Sequence, residues 1–164
     1  MGGQCLECVT EMLIDNPLNL STWSFPILEC FHIVGFAVAI GSVAIVDFGL
    51  LGLGLRHTAP GQLTKETDIL TLISLATAVF SGMLLYSTDP DKYYLNWSFV
   101  IKMTCLLAAV IFHYSIHRKI IYSSASPPIR KIVACISIVL WVSVVFGGMF
   151  IAFVDEGLSL NSHF

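Results

Sequence analysis

The chain has 164 residues, 56% hydrophobic and only 12% charged, with a formal net charge of −3 and a mean hydropathy of +0.84. A soluble domain of this length carries about twice that charge fraction, so the composition excludes an ordinary soluble enzyme. The slight negative charge leaves no electrostatic footprint for nucleic acid, and hydrolase and P-loop motifs are absent.

In chain order, residues 1–23 are expected to form an extracytoplasmic segment. Met1 to Leu20 has neither a basic n-region nor an apolar core of the usual length, so it does not read as a secretory signal. Cys5 to Ile14 reads as a short amphipathic helix at the membrane interface, ended by Asn16-Pro17. Cys5 and Cys8 have a C-x-x-C spacing that suits a disulfide or half of a metal site. Residues 24–155 then carry four apolar runs, about Phe25 to Leu55, Ile69 to Ser87, Trp97 to Tyr122 and Ile129 to Val154. Each approaches or exceeds the roughly 20 residues that cross a bilayer. Barrel strands would instead alternate over segments of about 10 residues. The expected fold class is all-α, an integral membrane four-helix bundle, followed by an extracytoplasmic tail over residues 156–164.

Ser24 and Pro26 suit the start of the first helix, and Pro60-Gly61 marks a turn in the first loop. Gly35-x-x-x-Ala39 in the first helix, Thr71, Ser74, Ala78 and Ser81 in the second, and Gly147-Gly148 in the fourth predict close helix packing. Arg56 and Lys65 flank the first loop, and Arg118, Lys119, Arg130 and Lys131 flank the third. The positive-inside rule then places the first and third loops in the cytoplasm and both termini outside. Trp23, Tyr93, Tyr94 and Trp97 supply the outer aromatic belt.

Glu29, His32, Asp47, Lys102 and His113 are ionisable residues within these runs. Charges in hydrocarbon need a partner or a task. Glu29 and Asp47 are 18 residues apart, five turns of a straight helix, and share a face. Lys102, His113 and His117 share a face of the third helix. By rise per residue, Glu29, His32 and Lys102 lie roughly 5–9 Å into their helices, and His113, His117 and Asp47 about 24–31 Å in. Two polar clusters therefore stack along a seam between helices one and three, with a Glu29–Lys102 pair expected at the outer level.

A structural ion-pair strip would fix helix register. The sharper reading is a cofactor strip in a small redox-associated subunit, with Glu29, His32, Asp47, Lys102, His113 and His117 binding haem b or quinone, and His32 and His113 as metal ligands. One haem with two axial histidines needs both at one depth, and His32 and His113 differ by roughly 15 Å. The alternatives are a copper-handling protein using His32 with Cys30, Met83, Met103, Cys105 and Met149, and a non-catalytic assembly subunit. The chain is more an accessory protein than an enzyme by itself. Its expected partners are the lipid bilayer and either further copies or a larger membrane complex.

The stretch Phe25-Pro26-Ile27-Leu28-Glu29-Cys30-Phe31-His32, with Asp47-Phe48-Gly49-Leu50-Leu51-Gly52-Leu53, resembles an uncharacterised family of small bacterial multi-pass membrane proteins. Ser81-Gly82, Asp89-Pro90, Tyr93-Tyr94-Leu95-Asn96 and Phe99-Val100-Ile101-Lys102 extend the resemblance over most of residues 23–155. It implies that Glu29, His32, Asp47 and Lys102 occupy the family's polar positions. More loosely, the architecture is similar to copper-resistance membrane domains and cytochrome b-like bundles.

Overall fold

The computed structural model describes residues 16–53, 60–90, 93, 96–123 and 125–161. The expected interfacial helix, Cys5, Cys8 and Arg56 lie outside the described residues. All of the regular structure described is helical: α1 (Ser24–Leu51), α2 (Pro60–Thr88), α3 (Trp97–Phe112), a π-helical segment (His113–His117), α4 (Arg118–Ile121) and α5 (Pro127–Asn161). Four stretches are long and apolar enough to cross a membrane: Ser24–Leu51, Gly61–Thr88, Trp97–Ile121 and Pro127–Ile151. The third span thus comprises α3, the π segment and α4. The bundle is an all-α, four-span membrane protein, as the apolar runs predict.

Its surface is that of a protein solvated by lipid. Val34, Leu72, Ile73, Leu107 and Val139 are each more than half exposed, whereas the interior collects small and polar residues such as Gly35, Ser42, Ser74, Ala78 and Ser81. Between lipid-facing helices the hydrophobic effect does little, so close backbone approach and polar contacts hold the spans together. Gly35 makes the closest approach. A Cβ there would stand 2.9 Å from the Ser74 carbonyl oxygen and 3.0 Å from the Ala78 nitrogen. The α1–α2 pair is the most extensive in the bundle, followed by α3–α5 and then α1–α5.

Several local expectations change. The second helix starts at Pro60 rather than near Ile69. Proline suits a first helical turn, and the polar residues 62–68 continue the helix beyond its apolar run. Gln62 Nε2 donates to Glu66 Oε1 at 3.1 Å, one turn on. Trp23, not Ser24, occupies the N-cap of α1, with no side-chain cap. The helix ends on Gly52, whose φ of 80° permits the left-handed turn. Gly52 N–H donates to the Gly49 carbonyl, and Leu53 N–H to that of Phe48. Asn96 is a cap that the apolar pattern does not announce. Its Oδ1 accepts from Ser98 N–H at 2.9 Å, and its Nδ2 donates to the Ile151 carbonyl at 3.2 Å, tying α3 to α5.

Gly35→Ala is expected to force α1 and α2 apart at a backbone contact, costing about 1–3 kcal/mol. Gly41, which has open space where its Cβ would lie, is the control. Thermal unfolding of both alanine variants in one detergent checks this, and equal melting temperatures would contradict the close approach.

Candidate functional site

The ionisable side chains inside the bundle form two clusters, one half-buried and one buried, each joining the first and third spans. The first lies near the start of both. His32 Nδ1–H donates to the Ala78 carbonyl of α2 at 2.7 Å. That bond fixes the tautomer and leaves Nε2 as an acceptor. Lys102 Nζ lies 3.3 Å from it and 5.4 Å from the centre of the Phe36 ring. Phe36 also meets the His32 ring edge-on. A lysine this near a helix end ordinarily snorkels outward, yet Lys102 runs inward. Glycines make the room. A Cβ on Gly82 would stand 2.8 Å from His32 Cε1, and one on Gly147 would stand 3.1 Å from Lys102 Cα.

The second cluster lies toward the other end. His117 Nε2–H donates to Asp47 Oδ1 at 2.5 Å, with the two side chains 0% and 1% exposed. His113, also buried, stacks on His117 with ring centres 5.1 Å apart. The π-helical segment begins and ends on these two histidines. A one-turn widening of this kind re-aims side chains and recurs at functional sites. Asp47 Oδ2, His117 Nδ1, both ring nitrogens of His113 and Ser137 Oγ of α5 are buried with no hydrogen-bond partner. Each such group costs about 1–3 kcal/mol if it is left without a partner. At the rim, Arg118 Nη2 pairs with Asp68 Oδ2 of α2 at 2.7 Å, and its guanidinium covers the Tyr114 ring.

Between the clusters lies an apolar layer to which every span contributes: Ala39 and Val43, Leu75, Leu106 and Ala109, and Trp141 and Val144. The rise per residue puts about 22 Å between His32 and Asp47 along the first span. The sequence-predicted residues therefore separate. His32 and Lys102 meet, as do Asp47, His113 and His117, but the two groups do not converge. One haem ligated by both His32 and His113 does not fit this arrangement.

The expected Glu29–Lys102 pair is not formed. Glu29 is exposed, and Lys102 turns to His32. The reason lies in where the packing begins. The buried positions of α1 are Gly35, Ala39, Ser42, Val43, Val46, Asp47 and Leu50, so the packed face starts more than a turn beyond Glu29, which stays at the exposed end of the helix. The copper set also disperses. Cys30 is exposed and Cys105 half-buried, and Met83, Met103 and Met149 are exposed. Among the described residues, no three His, Cys, Asp or Glu side chains gather as a metal ion requires.

The geometry defines a four-span membrane bundle with two buried polar clusters on either side of an apolar layer. The chain belongs to a family of unknown function, DUF6644, whose model matches residues 25–154. No curated protein and no solved structure matches the chain. The family match covers the resemblance drawn from the sequence; the looser likeness to copper-resistance domains and cytochrome b-like bundles gains nothing from it.

The clusters predict unequal energetics. His117→Ala leaves the Asp47 carboxylate buried and alone, and is expected to cost roughly 3–5 kcal/mol. Arg118→Ala breaks a partly exposed pair and is expected to cost no more than about 1 kcal/mol. Unfolding of the two variants side by side checks this; equal losses would contradict the burial assigned to the Asp47–His117 pair.

Proposed function

We propose that this chain is a small redox-associated subunit of the bacterial inner membrane, with both termini outside, that binds a quinone headgroup at the His32–Lys102 pair. The observation that carries the reading is the fixed tautomer of His32. With Nδ1–H tied to the Ala78 carbonyl, Nε2 accepts from the Lys102 Nζ 3.3 Å away, a bond that a ligand can open to reach both the acceptor and the donor. An acceptor and a donor side by side match both states of such a ring. A quinone carbonyl accepts from Nζ, and a quinol hydroxyl donates to Nε2. Phe36 supplies an aromatic wall. Along α3 and α5, a groove of about 320 Å³ lined by Ser98, Ile101, Ser143, Phe146, Gly147 and Phe150 offers an apolar track for the prenyl tail.

Quinone suits the cluster better than haem b, because Gly82 and Gly147 pack directly against His32 and Lys102, where a macrocycle would have to lie. Copper draws the least support, since its candidate sulfur ligands lie mostly on the lipid-facing surface. The orientation rests on Lys65, Arg118, Lys119, Arg130 and Lys131 gathering at one end, and on Trp23 and Trp97, both exposed, at the other. The chain acts as a homo-oligomer or within a larger membrane complex, where a partner carries the electrons.

The test is equilibrium binding of a short-chain quinone to full-length protein in lipid nanodiscs. Wild type is expected to bind saturably. His32→Gln replaces the fixed imidazole acceptor by a flexible amide and removes the ring. Gly82→Ala introduces no polar change but pushes the His32 ring aside. Each is expected to weaken binding at least tenfold, about 1.4 kcal/mol, while Gly41→Ala binds as wild type. Unchanged affinity in both His32→Gln and Gly82→Ala would contradict the site, and absence of saturable binding to wild type would leave the assembly role as the better reading.

A further inference from the structure

The end of the bundle where spans three and four meet takes no part in the quinone reading. We propose that the hairpin between α4 and α5 binds the headgroup phosphate of an anionic phospholipid, with Arg130 as the anchor and Lys119 and Lys131 as the flanking cations. The site stands or falls independently of quinone binding.

The placement of charge points to an anion. Arg118 and Lys119 lie in the last turn of α4, where cations suit the negative end of a helix dipole. Arg130 and Lys131 lie at the start of α5, the positive end of its dipole, where a carboxylate would be expected instead. No acidic residue occupies that first turn. Pro127 and Pro128 open the helix and bring no N–H groups, so side chains rather than the helix end supply the donors. The ion pairs among the described residues join Asp47 to His117 and Asp68 to Arg118. Glu66, the other described acid at this end, accepts from Gln62. Lys119, Arg130 and Lys131 therefore have no carboxylate partner among the described residues.

Arg130 is held ready for such a ligand. Its half-buried side chain reaches back across the hairpin, and Nη2 donates to the Ile121 carbonyl at 3.4 Å, at the end of α4. Nε is buried with no partner. A guanidinium presents five N–H donors in a planar fork that matches phosphate, and the Ile121 carbonyl takes only one. Lys119 and Lys131 are exposed. Tyr122 is exposed beside them, as interfacial tyrosines are at the headgroup level. From there Ile129, Ile132, Ile136 and Val139 run along the outside of α5, each exposed, at the three- and four-residue spacing of one helix face. Cations at the headgroup level above a lipid-facing apolar stripe fit a phospholipid, whose acyl chains lie along the stripe, better than a free phosphate. A zwitterionic headgroup brings its own cation to a cluster that is already positive, so the preference is for a lipid of net negative charge.

The experiment is native mass spectrometry of full-length protein in detergent, with dioleoylphosphatidylglycerol and dioleoylphosphatidylcholine as competing probes. Wild type is expected to retain phosphatidylglycerol saturably, with a preference of roughly tenfold. Arg130→Gln is expected to remove most of that preference. Arg130→Lys should restore only part of it, because an ammonium keeps the charge without the fork. Lys131→Gln breaks no hydrogen bond or ion pair in the structure, so it reports even if the Arg130 variants fail to fold; it should weaken retention about fivefold, the effect of one interfacial cation. Lys65→Gln, at the same end but on α2, is expected to change nothing. Equal retention of the two lipids by wild type would overturn the proposal. Equal losses in Lys65→Gln and Lys131→Gln would overturn it too, since a diffuse field of cations behaves that way and a site does not. Displacement of the lipid by an equimolar amount of inorganic phosphate would assign the hairpin to a free anion and overturn the lipid assignment.

Discussion

In hydrocarbon, a polar side chain has no water to fall back on, and this constraint organises the bundle. Most ionisable groups described in the spans either find a partner across a helix interface or lie where a helix end lets them reach the surface; His113, stacked on His117 with its ring nitrogens unbonded, is the exception. His32 and Lys102 solve the problem at one end, and Asp47 and His117 at the other. Both solutions join the first and third spans, although the backbone packing is dominated by α1 with α2 and α3 with α5. Long side chains thus bridge helices that are not the closest neighbours, and they can do so only because small residues bring the intervening helices close.

The glycines show how this works. Gly35 lets α1 settle onto the backbone of α2 at Ser74 and Ala78, and that approach brings the Ala78 carbonyl within reach of His32. Gly82, one turn along from Ala78, clears the ring itself. Gly147 and Gly148 clear the stem and head of Lys102 from the α5 side. One stripe of missing side chains therefore serves two purposes: it supplies dispersion contact between helices, and it shapes the slots that turn a histidine and a lysine inward. The apolar layer beneath is sealed by Trp141, Val43, Val144 and Leu106, which keeps the two clusters from becoming one continuous polar path.

Much of this was legible in the sequence. Four long apolar runs in a poorly charged chain leave little choice of architecture, and the depths of Lys102, His113 and Asp47 were enough to foresee two levels. The small-residue positions Gly35, Ser74 and Ala78 were recognisable from spacing alone. Glu29 shares a face with Asp47 by spacing, but the buried face of α1 begins only at Gly35. The role of Gly82 is hidden because a glycine signals space without saying which side chain fills it. The π-helical segment is hidden too: His113-Tyr114-Ser115-Ile116-His117 reads as ordinary helix, and only packing shows that the ladder widens there. The mostly polar residues 62–68 read as loop because hydropathy ends where the hydrocarbon ends, while the helix does not.

Whether the His32–Lys102 pair serves a quinone, as proposed, rather than a haem is decided by a chemical inventory of the protein purified in mild detergent from its native membrane: oxidised and reduced absorption spectra, with extraction and quantification of bound quinone and iron from the same sample. Quinone in near-stoichiometric amount and no Soret band is the expected result. A Soret band with matching iron, and no retained quinone, would contradict it.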